Sequence, residues 1–174
     1  LMLKLERFLL RRSNFVSTLT DGMKGRILRK GIRKDKILML PNWVDTSFIR
    51  PMERKYSLRD AFGIPLNDKV FLYSGNMGKK QGLELLIDVA EHYKNRADIH
   101  FIMVGSGAEK ANLEKMANDK RLVNMKFFPL QPYASLPALL ATADVHLVLQ
   151  RKEASDLVMP SKLTGILSAG GCAI

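Results

Sequence analysis

The stretch whose reading decides the fold is VFLYSGNMGKKQGLELLIDVA, residues 70–90. It opens on an apolar and aromatic run, Val70, Phe71, Leu72 and Tyr73. It then passes through a turn holding Gly75, Gly78 and Gly82, and continues with Leu83, Leu86, Ile87 and Ala90 at helical spacing. That pattern predicts a strand, a Gly-rich loop and a helix. The first N–H groups of a helix lack intrahelical partners and carry the positive end of its dipole, so a phosphate fits such a loop. Lys79 and Lys80 add full positive charges, and glycines let backbone amides come close to an oxyanion. An ordinary strand-to-helix connection with solvated lysines explains this stretch equally well, so the flanking sequence has to decide.

Towards the C-terminus the same unit repeats. Helix 82–94 is predicted to be followed by strand 99–104, then Gly105, Ser106 and Gly107, helix 109–119, strand 125–128 and helix 135–142. Strand 145–149 leads through a longer loop to helix 162–169 and a further strand beginning at Cys172. Strands alternating with helices at this spacing predict an α/β fold, a Rossmann-like parallel sheet covered on both faces. Ligands of such sheets collect beyond the carboxyl ends of the strands. There lie the loops 75–81, 105–107, 129–131 and 151–162, several of them Gly-rich or basic. Their convergence predicts a phosphorylated ligand. In the last loop, Pro160 sets the entry dihedral of the helix, Ser161 is placed to cap it, and free amides near Ser161 and Lys162 face the same crevice as Gly75.

Towards the N-terminus, residues 1–12 read as a helix, 14–17 as a short buried strand, and Thr20 with Asp21 as the N-cap of a helix closed by Gly31. Residues 36–40 read as another strand. The region 41–65 is irregular, carries three prolines and marks a domain boundary, with a short helix over 57–62 ended by Gly63. Trp43 could stack on a ligand, but burial beside this region is the expected placement. His100 and His146 sit in strand patterns and read as sheet residues. His92 falls late in a helix, where a cation suits the dipole.

Composition narrows the classes. In 174 residues, 47% are hydrophobic, which is ample for a packed core. No apolar run approaches the ~18 residues of a membrane span, and the opening residues lack a signal-peptide cleavage site. The lone Cys172 excludes an internal disulfide and a cysteine-built zinc site. No His, Asp and Glu have metal-ligand spacing, so no metal site is expected. A first residue other than Met and an ending at the start of a strand lead us to expect a piece of a longer chain. The net charge is +11, and residues 1–36 hold eleven Lys/Arg against three acids, or +8 of it. Leu1, Leu5, Phe8 and Leu9 share one side of the first helix with Lys4, Arg7, Arg11 and Arg12 at its flanks. That is the pattern of an interfacial helix, and equally of a helix packing one stripe on a domain.

Four segments together carry a resemblance: PNWVD at 41–45, YSGNMGKKQGLE at 73–84, VGSG at 104–107 and LVMPSKLTGILSAGG at 157–171. The chain resembles the GT-B retaining glycosyltransferases of family 4, in the branch that builds bacterial exopolysaccharides such as colanic acid. The resemblance implies that residues 1–40 end an acceptor-binding N-terminal domain, 41–65 form the interdomain linker, and 66–174 form most of a nucleotide-sugar-binding Rossmann-like domain. It also implies a UDP- or GDP-linked donor substrate, no other cofactor, and a glycan or lipid-linked glycan acceptor. A cytoplasmic location follows, with peripheral contact to the anionic inner face of the plasma membrane. The donor diphosphate is expected at Gly75, Asn76, Lys79, Lys80, Gln81, Ser161 and Lys162. The base and ribose are expected near Gly105, Ser106, Gly107, Leu130, Gln131, Glu153 and Asp156.

Two departures stand out. Where many members of the family carry an Arg and a Lys that grip the diphosphate, this chain has Asn76 and Gln81. Where many carry two glutamates eight positions apart, it has Leu157 and Gly165, with Glu153 and Asp156 only nearby. No catalytic side chain is evident, and the 174 residues alone are expected to bind donor without transferring sugar. A nucleotide- or phosphosugar-binding module without turnover is the alternative. A nucleic-acid-binding protein is the other rival, favoured by charge but lacking a basic strand set interleaved with aromatics.

Overall fold

A computed structural model of the chain describes residues 2–150 and 160–174. They divide into two units, 2–43 and 44–150 with 160–174. From Val44 onward, therefore, the expected linker packs with the second unit.

In the first unit, α1 (Met2–Arg12) buries no residue, and Met2, Leu3, Leu5, Phe8 and Leu9 are all more than half exposed. β1 (Val16–Thr18) pairs in parallel with β2 (Ile37–Met39), Val16 opposite Ile37. The strand predicted at 14–17 thus starts later, and Phe15, expected inside, is 63% exposed because it precedes the ladder. Between the strands, α2 (Asp21–Arg29) begins at Thr20, whose Oγ1 accepts from Met23 N at 3.2 Å. This is the predicted N-cap. At its far end Gly31 takes φ 78°, and Arg7 Nε donates to the Lys30 carbonyl at 2.9 Å. A cation there suits the negative end of the helix. Trp43 is 85% exposed and not buried as expected, since no apolar neighbour among the described residues closes over the indole.

The second unit is built on β3 (Lys69–Asn76). It lies between β4 (Ile99–Ser106) and β6 (Val145–His146), with β5 (Met125–Phe128) beyond β4. All pairs are parallel. Ala173 adds a parallel bridge to His146 on the far side, where a further strand was predicted. Alternation along β3 separates the two faces. Tyr73, with Phe71 beside it, joins the core under α3 (Glu84–His92) and α4 (Lys110–Asp119), whereas Val70 and Leu72 join Phe62, Ile64 and Leu139 of α5 (Leu136–Leu140). A period of two is what a strand requires. α6 (Lys162–Ser168) packs Ile166 on Leu140 and Ile49, on the α5 face.

Several predicted bounds shift for a physical reason. β3 runs to Asn76, past the apolar run that announces it, and β4 runs two residues beyond its predicted end, pairing Gly75 with Gly105 and Asn76 with Ser106. A Cβ on Gly105 would lie 2.0 Å from the Gly75 carbonyl oxygen, so only glycine lets the ladder continue. Helix 82–94 shortens to α3 because a 3₁₀ turn occupies Lys79–Gln81 and Gly82 is left-handed at φ 65°. Residues 57–62 form a single turn, with Phe62 N donating to the Leu58 carbonyl at 3.0 Å, and Gly63 ends it at φ 61°.

One polar cluster was not anticipated. Arg59, 2% exposed, pairs with Asp144 at 2.7 Å and donates to the carbonyls of Thr142, Leu66 and Asp68. Asp144 also accepts from Arg54 at 2.5 Å and from Val70 N at 2.8 Å. Burial works to raise its pKa. The Val70 amide and the two guanidiniums outweigh that and hold the carboxyl below its ordinary value. The cluster ties residues 54–59 to the starts of β3 and β6.

Candidate functional site

The carboxyl end of β3 is where the predicted residues can be tested for proximity. Gly75 takes φ 142°, a conformation that side-chain-bearing residues rarely adopt. A Cβ placed on it would lie 3.2 Å from Lys162 Nζ and 3.8 Å from the Tyr73 hydroxyl. Lys162 opens α6 on one face of the sheet, yet its ammonium sits 4.2 Å from the ring centroid of Tyr73, which belongs to the opposite core. The lysine stem therefore crosses the carboxyl edge of the sheet. Tyr73 is 1% exposed, and its hydroxyl donates to the Asn76 carbonyl at 2.6 Å.

Beside this pair, Gly78 stands between two side chains: a Cβ there would meet Asn76 Nδ2 at 3.0 Å and Gln81 Oε1 at 3.2 Å. Among the described residues, Gln81 Oε1 is buried without a hydrogen-bond partner. Gly75, Asn76, Gln81 and Lys162 are thus brought together at one strand end.

Electrostatics differ sharply among the lysines. Burial lowers the pKa of Lys162, and its ammonium faces an aromatic ring. Burial also pushes the Tyr73 phenol up to about 12, so it stays protonated as a donor. Lys79 and Lys80 are exposed and line a cleft of about 350 Å³ together with Glu84 and Glu109. A second hollow of about 380 Å³ is apolar, walled by residues such as Phe71, Val89, Tyr93, Leu147 and Ile174, and offers nothing to a phosphate.

Other predicted residues are placed differently. The Met77 amide is spent on the Ser106 carbonyl at 2.7 Å, and the Met77 carbonyl accepts from Glu109 N at 2.9 Å. Part of the expected cradle of free amides is therefore occupied. A Cβ on Gly107 would lie 2.4 Å from the Met77 carbonyl oxygen, so Gly105 and Gly107 are explained by backbone packing, while Ser106 between them is exposed. Leu130 is 70% exposed, and the Gln131 side-chain amide donates to its own Pro129 carbonyl at 2.9 Å. Ser161 does not cap α6. It is already in helical conformation, and its carbonyl accepts from Thr164 Oγ1 at 2.9 Å. Glu153 and Asp156 lie outside the described residues.

Sequence reasoning missed Tyr73, which reads as one more apolar residue of a buried strand; only its hydroxyl hinted at a second role. Among the described residues no three of His, Cys, Asp and Glu come together as a metal site, and no helix is long and apolar enough to cross a membrane.

Residues 55–167 match the family model described as glycosyl transferases group 1. The chain is 44% identical over 161 residues to WcaI of Escherichia coli (strain K12), named as a colanic acid biosynthesis glycosyl transferase. That alignment covers 91% of this chain and 39% of WcaI. The Anabaena protein Alr3699/HepE, solved in complex with UDP, superposes with a TM-score of 0.81 at 18% identity, over 98% of this chain and 47% of its own. WaaG, a glycosyltransferase involved in lipopolysaccharide biosynthesis, superposes with a TM-score of 0.72 at 20% identity, over 90% of this chain and 42% of its own. The chain therefore spans less than half the length of each of these relatives, and its α/β architecture is that of the GT-B fold. With two thirds of its residues inside the family match, the chain belongs to the group 1 glycosyl transferases.

Proposed function

We propose that the chain carries the donor-binding part of a retaining glycosyltransferase. The whole enzyme moves a sugar from a nucleoside-diphosphate sugar, UDP- or GDP-linked, to a hydroxyl acceptor in bacterial cell-surface polysaccharide synthesis. The observation that supports this reading is the partly buried Lys162 ammonium beside Gly75, at the carboxyl end of the central strand. A diphosphate becomes more negative as its bond to the anomeric carbon breaks. A cation held in a partly desolvated position therefore binds the departing group more tightly than the intact donor, and that difference lowers the barrier.

In this reading Lys162, Asn76 and Gln81 hold the diphosphate at Gly75, with Ser161 at its rim. Exposed Lys79 and Lys80 attract the anion from a distance. The nucleoside lies towards Ser106, Leu130 and Gln131. Retention of configuration is carried over from the family resemblance. The 174 residues by themselves bind donor and transfer nothing, because they correspond to 39% of WcaI and the acceptor has to be brought to the anomeric carbon as well.

The test is a thermal-shift panel of UDP, GDP and ADP with their sugar conjugates on the full-length protein. At about 100 times Kd a ligand adds about 2.7 kcal/mol. That is about 5 °C or more in Tm for a domain of 150–250 residues that unfolds as one unit. One diphosphonucleotide is expected to give such a shift, reduced in Lys162→Ala. No shift with any of them sinks the proposal.

The membrane partner rests on a separate observation, the exposed apolar side of α1 flanked by Lys4, Arg7, Arg11 and Arg12. Peripheral binding at the cytoplasmic membrane face predicts co-sedimentation with phosphatidylglycerol vesicles that is lost in Leu5→Glu/Phe8→Glu. Equal recovery with phosphatidylcholine vesicles would contradict it.

A further inference from the structure

We infer that Tyr73 is a positioning residue of the donor site, which fixes the Lys162 ammonium and the Gly75–Asn76 backbone together so that Lys162 receives the diphosphate. This rests on the donor-binding reading above and extends it to a residue inside the core.

The geometry carries the argument. Tyr73 and Gly75 have the same parity on β3, so both point to the same side of the sheet. The Tyr73 hydroxyl donates to the Asn76 carbonyl at 2.6 Å, which pins the strand end just where Gly75 takes φ 142°. The ring face lies 4.2 Å from Lys162 Nζ. The Gly75 Cβ position, 3.2 Å from that ammonium and 3.8 Å from the hydroxyl, marks the gap between the two. Gly75, which alone among residue types takes φ 142° readily, leaves that gap open.

The ammonium needs such a support. Lysine is a point charge on a flexible stem, and Asn76 beside it brings no charge of its own. An aromatic face attracts a cation without neutralising it, whereas a carboxylate would do both. Lys162 is therefore held in place and still available to an anion. Lys79 and Lys80, by contrast, are exposed to solvent beside Glu84 and Glu109. Paying the ordering of the lysine stem before the ligand arrives raises affinity for the anion.

The experiment is a double-mutant cycle on the full-length protein, with UDP binding measured by calorimetry for wild type, Tyr73→Leu, Lys162→Ala and the double variant, and with Tyr73→Phe as the conservative control. Tyr73→Leu and Lys162→Ala are each expected to weaken UDP about tenfold, the size of one charged hydrogen bond. The double variant should be no weaker than the poorer single one, since either change removes the same contact. Tyr73→Phe keeps the ring and should recover most of the affinity lost in Tyr73→Leu. A purely structural role for Tyr73 predicts losses that multiply in the double variant, and that result overturns the inference. So does a Lys162→Ala protein that binds UDP like wild type. If the wild type binds no diphosphonucleotide, the donor-binding reading falls and takes this one with it. If it binds and the cycle shows no coupling, only this inference falls.

Discussion

Replacing Gly105 by Ala should destabilise the second unit far more than such a small change suggests. Its Cβ would lie 2.0 Å from the Gly75 carbonyl oxygen and 3.0 Å from the Gly75 carbonyl carbon, both rigid backbone atoms. Contacts below 3.0 Å are essentially never made, so β3 and β4 must separate by about 1 Å at the end where Lys162 meets Gly75. Holding alanine at φ 146° costs about 1–3 kcal/mol. Overpacking costs about 1–3 kcal/mol more. The expected loss is about 4 kcal/mol, a large fraction of the ~5–15 kcal/mol that holds a domain. Gly25→Ala is the internal control. It lies inside α2, where a new Cβ would meet only an Arg29 guanidinium nitrogen at 3.8 Å. There alanine should stabilise by about 0.5–1 kcal/mol. Urea unfolding reads both variants. With a slope of about 2 kcal/mol/M, Gly105→Ala should lower the midpoint by about 2 M, and Gly25→Ala should raise it slightly. A Gly105→Ala protein within about 1 kcal/mol of wild type would refute the close strand approach and, with it, the geometry assigned to the site.

Asp144→Asn should cost about 3 kcal/mol by urea unfolding, because it leaves Arg59 buried without its counter-charge. The folded Asp144 carboxyl titrates below its ordinary value. Its stabilising contribution is therefore complete above the unfolded pKa of about 4 and fades as pH falls through the lower folded value. Wild type should accordingly lose stability more steeply than Asp144→Asn as pH drops below about 4, and parallel curves would argue against the pairing. Thr20→Ala should cost about 1 kcal/mol by removing the acceptor for the Met23 amide at 3.2 Å, with Thr20→Ser near wild type in thermal unfolding monitored by circular dichroism.

Much of the fold was legible because its signals are local. The run Val70 to Tyr73, followed by Leu83, Leu86, Ile87 and Ala90, encodes a change of period from two to 3.6 that needs no knowledge of neighbours. Thr20 and Gly31 announce both ends of α2 in the same way. The ends of β3 and β4 were misjudged because Gly75 and Gly105 read individually as loop residues. Their meaning is tertiary: Gly105 is glycine because the Gly75 backbone is so near, and Gly75 takes φ 142° beside the Lys162 and Tyr73 side chains. Trp43 was expected to be buried beside the irregular segment, yet a large amphipathic ring is often left partly outside a core, and here it is exposed.

The candidate site divides along the same line. That the loops after the strands gather at one edge follows from the βα alternation, and the family resemblance implies which of their residues, Gly75, Asn76, Gln81 and Lys162 among them, meet the donor diphosphate. Side-chain period and turn chemistry thus determined the elements, their order and the sheet edge that matters. Only the folded chain decided that Lys162 crosses that edge onto a buried tyrosine, or that Arg59 reaches Asp144 across 85 residues. The reason is that propensities act over a few bonds, whereas a charge's partner is chosen by which distant segments the sheet brings within a few ångströms.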